Sequence, residues 1–198
     1  AGISIAQDPT KRFNPGALAG VWAEANTREA IWDALQRKET FGTSGTRTKI
    51  RLMGSFDFPP DLGGRPDWVK VGYDTGVPQG GDLKAAPAGK VPVFVAWAQR
   101  DPDGAPLARL QIIKGWTDGK QTREMTYDVA CSDGGKPDSK SHRCPDNGAT
   151  VNLDDCSIST DKGDSELVAT WSDPDFRPGE RALYYARVLE NPVCRWSM

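Results

Sequence analysis

Histidine is almost absent from this chain, and its scarcity excludes the commonest forms of acid–base chemistry. The single histidine among 198 residues, His142, lies in a polar segment between Ser141 and Arg143. A Ser-His-Asp triad needs a histidine that the fold holds in one orientation, so His142 is a poor candidate for a catalytic base. No carboxylate pair has a spacing that singles it out for acid–base work. We therefore predict no catalytic residue in this chain.

Neither an excess of one charge nor a long apolar run is present. The chain has 25 basic and 27 acidic residues, which give a net charge of −2. Nucleic-acid binding relies on a basic patch or stripe, so we expect no nucleic-acid partner. No run approaches the ~18 apolar residues that indicate a membrane-spanning helix. We therefore expect no membrane span.

Complete metal-binding motifs are missing as well. No C-x-x-C pair occurs, and the one histidine lies two residues before Cys144, which disfavours a zinc site. The segment from Asp101 to Gly104 resembles part of a calcium loop, but the further acidic ligand and the closing glutamate are absent. An ordinary turn explains it better, because Asp, Pro and Gly adopt turn conformations readily. We predict no metal ligand and no cofactor-binding residue in this chain.

Two further polar turns could bind ions. Asp173, Asp175 and Glu180 form an acidic turn that could hold a cation weakly, although a solvated turn is the simpler interpretation. The turn from Thr43 to Arg47 offers backbone N–H groups and a guanidinium that could hold an anion. The alternative is a helix stop with ordinary turn chemistry.

The residues that are abundant favour short strands joined by turns. The chain has 21 Gly, 15 Pro and 7 Trp, a composition more typical of β structure than of a helical bundle. Strands are predicted at 48–52, 68–73, 91–98, 107–116, 121–130, 166–171 and 181–190, some from alternation of polar and apolar residues and others, such as 91–98, from a high density of Val, Phe and Trp. The strands at 91–98, 107–116 and 121–130 are predicted to form an antiparallel meander. The strand at 181–190 is apolar on both sides, which predicts a central strand covered on both faces.

One stretch, residues 26–40, predicts a helix. Asn26 can accept a hydrogen bond as the N-cap, and Glu29 stands three residues further on, as in a capping box. The apolar side chains that share one helical face are Ile31, Ala34 and Leu35, with Trp32 at its edge. Gly42 and Gly45 then interrupt the helical pattern.

Four cysteines lie in the C-terminal third of the chain: Cys131, Cys144, Cys156 and Cys194. An even number favours two disulfides and an oxidising compartment, and therefore a periplasmic or secreted protein. The alternative is four reduced, buried thiols. Three pairings are possible. We favour the sequential one, Cys131–Cys144 and Cys156–Cys194, because the first bond would close a loop rich in Asp, Gly, Lys and Ser.

Three blocks of sequence are long enough to be compared with known families. The first block is VWAEANTREAIWDAL at 21–35, which continues as RKETFGTSG at 37–45. The second comprises VAWA at 95–98, RLQIIKGW at 109–116 and YDVA at 127–130, and the third comprises WSDPDF at 171–176 and YYARVLE at 184–190. Together these blocks resemble a bacterial family of unknown function, DUF3604. They cover most of the chain in the family's order, which makes the resemblance more specific than a short motif.

The resemblance implies a relation to the PHP (polymerase and histidinol phosphatase) metal-dependent hydrolases. Family members are much longer and typically carry an export signal and a PHP-like barrel whose histidines and acids bind metal. Those ligands precede the region present here, so the resemblance assigns no metal ligand to any residue of this chain. A divalent metal is expected only in a longer parent protein.

The residues and the resemblance together predict a mainly β protein with one prominent helix. Residues 1–46 are expected to be the C-terminal remnant of a barrel-like domain, and their helix is expected to resemble the last helix of a PHP-like barrel. Residues 47–198 are expected to form an antiparallel, β-sandwich-like module.

Two functions follow from this organisation. In the first, the chain supports or shapes an active site formed elsewhere in a secreted PHP-like hydrolase, with the missing N-terminal barrel as its partner, and is not itself an enzyme. In the second, it is a stand-alone β-sandwich with a binding or structural role and no catalytic activity.

Overall fold

The computed structural model describes residues 17–117 and 119–194. Within these ranges the chain is mainly β, as the sequence predicts, with two α-helices rather than one. The elements in chain order are β1 (Leu18–Val21), α1 (Arg28–Gln36), β2 (Thr40–Thr43), β3 (Lys49–Ser55), a 3₁₀-helix (Leu62–Gly64), α2 (Trp68–Thr75), β4 (Val77–Pro78), β5 (Val93–Gln99), β6 (Leu107–Thr117), β7 (Thr122–Cys131), β8 (Glu166–Ser172) and β9 (Arg181–Glu190). The part of the expected barrel remnant that precedes residue 17 lies outside the described residues.

The strands form three antiparallel sheets. β1 pairs with β2, a four-stranded sheet has the order β4-β3-β5-β8, and a three-stranded sheet has the order β7-β6-β9. The predicted meander is wrong, because β5 pairs with β3 and β8 and not with β6. Residues 100–106 carry the chain from the four-stranded to the three-stranded sheet, where β6 and β7 then pair as a hairpin.

The two larger sheets lie against each other across one apolar core. Side chains alternate between the two faces of a strand, and the inward set from both sheets forms a single cluster. Its buried members are Ile50, Leu52, Phe94, Ala96, Ala98, Leu107, Leu110, Ile112 and Leu167. Burial of a large apolar side chain contributes about 1.5–3 kcal/mol, so this shared core is a major source of stability.

Residues 68–73 form the start of α2, so the strand predicted there is wrong. Trp68 and Val71, one helical turn apart, pack against a second cluster on the other face of the four-stranded sheet. Gly72 permits the close approach, since a Cβ there would lie 2.9 Å from Met53 Cγ. Over only six residues, the apolar positions fit both the strand period and the helix period. Packing of the helix onto the sheet decides that this segment is helical.

The last strand has the predicted bounds, Arg181–Glu190, but the predicted central position is wrong. β9 lies at the edge of the three-stranded sheet, and β6 is the central strand. Ile112 and Ile113, on opposite faces of β6, are both fully buried. On β9, Tyr184 packs against the core, whereas Leu183 on the other face is 60% exposed. An apolar pattern on both faces therefore does not guarantee that both faces are covered.

α1 is shorter at both ends than the predicted helix at 26–40. Its N-cap is Thr27 and not Asn26, because the Thr27 hydroxyl oxygen accepts a hydrogen bond from the Ala30 backbone N–H at 3.2 Å. The last helical residue is Gln36. The Gly residues at 42 and 45 therefore lie beyond the stop, in and after the strand β2 that pairs with β1.

The helix ends in a Schellman turn centred on a residue other than glycine. The Lys38 N–H donates to the Leu35 carbonyl and the Glu39 N–H donates to the Ala34 carbonyl, each at 3.0 Å. Lys38 adopts the left-handed conformation that this turn requires, with φ of 61°. The turn reverses the chain within two residues, which is why a strand starts at Thr40.

Both pairs of cysteines are bonded in the sequential order that the sequence favours. Cys131 bonds to Cys144 with a Cα–Cα distance of 5.5 Å. Cys156 bonds to Cys194 with a Cα–Cα distance of 5.6 Å. The first bond closes the start of the polar segment between β7 and β8, and the second attaches the residues that follow β9 to the same segment.

Candidate functional site

A cleft opens beside the four-stranded sheet, where the end of α1 faces α2. It has a volume of about 770 Å³. Its wall comes from the residue after β1, from the turn after α1, from β3, from α2 and from residues 77–82. We call it the Arg51 cleft, after the β3 side chain at its centre.

Trp22 forms an aromatic wall of the Arg51 cleft. It follows β1 directly, and its backbone N–H donates to the Glu39 carbonyl at 2.9 Å. Its indole Nε1–H donates to the Ile50 carbonyl at 3.0 Å. The ring also contacts Trp97 of β5 in an edge-on arrangement, with 6.3 Å between ring centres. The backbone and the indole are therefore both held, and the ring has a defined position over β3.

Glu39 places a carboxylate in the same cleft. The Schellman turn directs this side chain inward, and only 3% of it is exposed. Its Oε1 accepts a hydrogen bond from Arg37 Nε at 2.7 Å, and its Oε2 accepts one from the Tyr73 hydroxyl. Partial burial and this hydrogen bond raise the pKa of Tyr73 to about 12. Both carboxylate oxygens therefore have partners within the protein.

Arg51 differs from these residues, because its charge has no anionic partner within residues 17–117 and 119–194. Its guanidinium carbon lies 4.0 Å from the centre of the Trp22 ring and 5.8 Å from that of Tyr73. Its Nε is buried without a hydrogen-bond partner among the residues described. Arg109 also has a buried, unpaired Nε, but its terminal nitrogen lies 3.6 Å from an Asp128 carboxylate oxygen. Arg51 is therefore the unusual cation of this fold.

A second polar cluster surrounds Lys114 of β6, at one end of the shared core. Lys114 Nζ lies 2.7 Å from Asp173 Oδ2 and 3.4 Å from Glu180 Oε2. It also donates to the Asp175 carbonyl at 2.9 Å. The acidic turn that the sequence marked as a weak cation site thus has a lysine ammonium among its carboxylates. This arrangement explains the acidic turn without a metal ion.

Two tyrosines complete the Lys114 cluster. The Tyr184 hydroxyl donates to Asp173 and the Tyr127 hydroxyl donates to Asp175, each at 2.6 Å. Burial, and secondly these hydrogen bonds to carboxylates, raise the pKa of both tyrosines. The neutral phenols are therefore the form that this fold stabilises.

The other acidic and polar turns are satisfied internally. Asp101 accepts hydrogen bonds from the Arg47 N–H at 2.7 Å and the Asp103 N–H at 3.1 Å, and these bonds lower the pKa of Asp101. In the turn from Thr43 to Arg47, the Gly45 N–H donates to the Thr43 hydroxyl. The Thr46 hydroxyl donates to Glu190 Oε2 at 3.1 Å. Carboxylates therefore face this turn on two sides, which disfavours the anion site.

Metal-binding groups are not brought together in the part of the chain that the structure describes. Within residues 17–117 and 119–194, no three His, Cys, Asp or Glu side chains are grouped so that they could hold a metal ion. His142 lies in the polar loop that follows Cys131, with its ring centre 5.0 Å from that of Tyr127. No helix of the described ranges has the length and apolar character needed to cross a bilayer.

Sequence reasoning missed the members of the Arg51 cleft. Trp22, Arg51 and Tyr73 come from three separate elements, and no motif joins them. Arg51 is the polar residue between Ile50 and Leu52 in the predicted strand, where a solvent-facing side chain is the usual expectation. The high tryptophan content was the one available signal, and it does not identify which rings gather.

The fold and its cleft define a mainly β module that carries two disulfides and an aromatic cleft around one cation. A family model described as "Protein of unknown function (DUF3604)" matches residues 3–198, and the chain belongs to this family. A search of curated proteins found no match. A search of solved structures found none either.

Proposed function

We propose that this chain is the non-catalytic, β-rich part of a secreted or periplasmic metal-dependent hydrolase. In this proposal it packs on a preceding PHP-like catalytic domain and supports an active site formed there. Any divalent metal belongs to that domain. The relation to PHP-type hydrolases rests on the sequence resemblance described above. The two disulfides support an oxidising compartment.

The observation that carries the proposal is the outward face of α1. Ala34 is fully buried, whereas 60% of Trp32 and 48% of Leu35 are exposed. Ile31 lies beside them on the same surface. We call these three side chains, Ile31, Trp32 and Leu35, the α1 patch. Clustered apolar side chains on a surface mark an interaction site, and an exposed tryptophan is a frequent anchor of such sites.

The position of the α1 patch fits an interdomain contact. α1 lies between β1 and β2 and precedes both larger sheets in the chain, so a domain that precedes the β module in sequence would lie close to α1 along the chain. Domain interfaces within one chain are of the same physical kind as protein–protein interfaces. Removal of Trp32 is therefore expected to weaken a domain contact rather than the fold of the β module.

The test compares the longer parent protein with the 198-residue chain. Hydrolysis of p-nitrophenyl phosphate and p-nitrophenyl acetate is measured with divalent metal and with a chelator. We expect chelator-sensitive turnover by the parent alone. Trp32→Ser and Leu35→Ser in the parent should lower activity or thermal stability. Leu183→Ser is the matched control, because Leu183 is as exposed as Trp32 but lies on β9, and it should change neither.

Two outcomes would overturn this proposal. One is chelator-sensitive turnover by the 198-residue chain itself. The other is a parent protein in which both α1-patch variants behave like the Leu183→Ser control.

A second candidate function is a stand-alone binding module, and the Arg51 cleft favours it. A cavity with an unpaired guanidinium and aromatic walls has the features of a small-molecule site. The two functions are distinguishable, since ligand binding in this cleft needs no catalytic domain.

A further inference from the structure

The Arg51 side chain carries a charge that no acidic group among the described residues neutralises. Buried polar groups in folded proteins nearly always have hydrogen-bond partners, and a buried donor left unpaired costs about 1–3 kcal/mol. Yet within residues 17–117 and 119–194, the Arg51 side chain makes no hydrogen bond and no ion pair, and its Nε is buried. Lys114, which is fully buried, lies against two carboxylates.

The contacts that Arg51 does make leave its two terminal Nη groups available, whereas its Nε is buried. Trp22 lies 4.0 Å from the guanidinium carbon as a cation–π partner. An aromatic ring over the flat face of a guanidinium leaves the N–H groups free in the guanidinium plane, and the Nη groups form the edge of Arg51 that is not buried. That planar edge matches two oxygens of a carboxylate or a phosphate, which is the pairing that arginine forms best. The arrangement thus presents a fixed oxyanion receptor.

No neighbouring acidic residue among those described acts as the anionic partner of Arg51. Glu39 is the nearest buried acid, but its two oxygens accept hydrogen bonds from Arg37 and Tyr73. The remaining charged residues of the wall are Glu24 and Asp82 on the acidic side and Lys38 on the basic side. Since the wall has little net charge, attraction for an anion comes from direct contact with Arg51 and not from a long-range field.

Apart from Gln36, the rest of the cleft wall has no polar side-chain group other than the Trp22 indole N–H and the Tyr73 hydroxyl. Val69, Val77 and Pro78 line it together with the rings of Trp22 and Tyr73. A bare ion would leave these surfaces in water, whereas a ligand with a flat or apolar body would cover them. The wall therefore favours an organic acid over an inorganic anion.

We propose that the Arg51 cleft binds the oxyanion of a small organic acid, with the Arg51 guanidinium as the oxyanion receptor and Trp22 and Tyr73 as the flanking walls. The ligand class is a carboxylate or a phosphate ester with an apolar or aromatic body. This site does not depend on the hydrolase-support function, because every residue in it belongs to the described part of this chain.

The test is a titration of the 198-residue chain followed by heteronuclear NMR. The arginine Nε–Hε signal of Arg51 is assigned through its own backbone and followed as the probe is added. The probes are sodium benzoate, phenyl phosphate and inorganic phosphate, at constant ionic strength. Benzyl alcohol is the uncharged control, and sodium chloride is the control for salt. We expect saturable shifts with a Kd of about 1 mM for the two aromatic anions and weaker binding of inorganic phosphate.

Two variants test whether Arg51 binds the ligand or only stabilises the fold. Arg51→Lys keeps the charge and loses the planar edge, so benzoate should bind about tenfold more weakly or not at all. Arg181→Lys is the matched control, because Arg181 is exposed at the start of β9, away from the cleft. Arg181→Lys should bind benzoate as tightly as the unmodified 198-residue chain does.

The comparison of the probes also identifies the head group. Tighter binding of benzoate indicates a carboxylate ligand, and tighter binding of phenyl phosphate indicates a phosphate ester. The proposal is overturned if neither shifts the Arg51 signal saturably, if benzyl alcohol shifts it as strongly, or if Arg51→Lys binds like Arg181→Lys. If Arg51→Lys does not fold, the titration of the unmodified chain with benzoate and benzyl alcohol still decides whether the Arg51 cleft binds an oxyanion.

Discussion

Lys114 and Asp173 form a buried ion pair that joins the two larger sheets. The ammonium nitrogen of Lys114 lies 2.7 Å from Asp173 Oδ2, and the side chains are 2% and 0% exposed. Lys114 belongs to β6 of the three-stranded sheet, and Asp173 follows β8 of the four-stranded sheet. The pair therefore fixes one end of the interface between the sheets.

Removal of the Lys114 charge should be among the most damaging substitutions on the sheets. Lys114→Met leaves the Asp173 carboxylate buried without its cation, a change that typically costs about 3–5 kcal/mol. Lys49→Met, on the exposed side of β3, should change stability by less than about 0.5 kcal/mol. Guanidinium unfolding of each variant measures the difference.

A double variant tests the physical reason. Lys114→Met with Asp173→Asn removes both charges, so it should be more stable than Lys114→Met alone. A double variant that is less stable than Lys114→Met would show that the penalty does not come from the unpaired carboxylate.

Tyrosine ionisation should limit stability at alkaline pH. Burial and hydrogen bonds to carboxylates raise the pKa of Tyr127 and Tyr184 above the ordinary value of 10.0. Because the folded-state pKa is the higher one, the stabilisation is complete below pH 10 and is lost as pH rises through the folded-state values. We expect tyrosinate absorbance and loss of folded circular dichroism to appear together above pH 10. Tyrosinate that forms fully while the fold persists would contradict this expectation.

Gly80 should tolerate a side chain much less well than Gly89. Both have positive φ, 96° and 75°, so alanine at either site meets backbone strain of roughly 1–2 kcal/mol. A Cβ at Gly80 would also lie 2.5 Å from the Lys38 carbonyl oxygen, whereas nothing lies within 4 Å of one at Gly89. The free energy of unfolding, measured by thermal melts, should therefore be about 1–3 kcal/mol lower for Gly80→Ala than for Gly89→Ala. Equal losses would mean that residues 80 and 38 do not touch.

The two disulfides should stabilise the fold to different extents. Cys131 and Cys144 are 13 residues apart, and Cys156 and Cys194 are 38 apart. Loop entropy predicts losses of about 3 kcal/mol for Cys131→Ser with Cys144→Ser and about 1 kcal/mol more for the other pair. Guanidinium unfolding measures both. Thiol alkylation before reduction should label no cysteine, and labelling of all four would refute the bonds.

Local alternation predicted the strands whose two faces differ in environment. The bounds of β9 follow from the apolar run that Arg181 and Glu190 enclose, and β6 and β8 deviate by one residue from their predicted ends. Which strands become neighbours depends on the path between them, and the crossing at residues 100–106 has no local signature. The meander and the central position of β9 failed for that reason.

The ends of α1 and the nature of α2 depended on contacts beyond the local sequence. Lys38 occupies a left-handed position where glycine is the usual residue, so the stop after Gln36 carried no recognisable signal. Val69 and Val71 alternate as in a strand, yet α2 forms because Trp68 and Val71 share a helical face against the sheet. The Arg51 cleft lies between these two misjudged elements, which is why it was not foreseen.

The Cys156–Cys194 bond closes a covalent ring that contains β8 and β9, the last strands of two different sheets. The turn between them is exposed at residues 177–179, so a protease can reach and cut the backbone there. Such a cut would open the ring but would not release a fragment. Both halves would migrate together on a gel until a reductant is added, so a nicked molecule would retain its final strand in an environment rich in proteases.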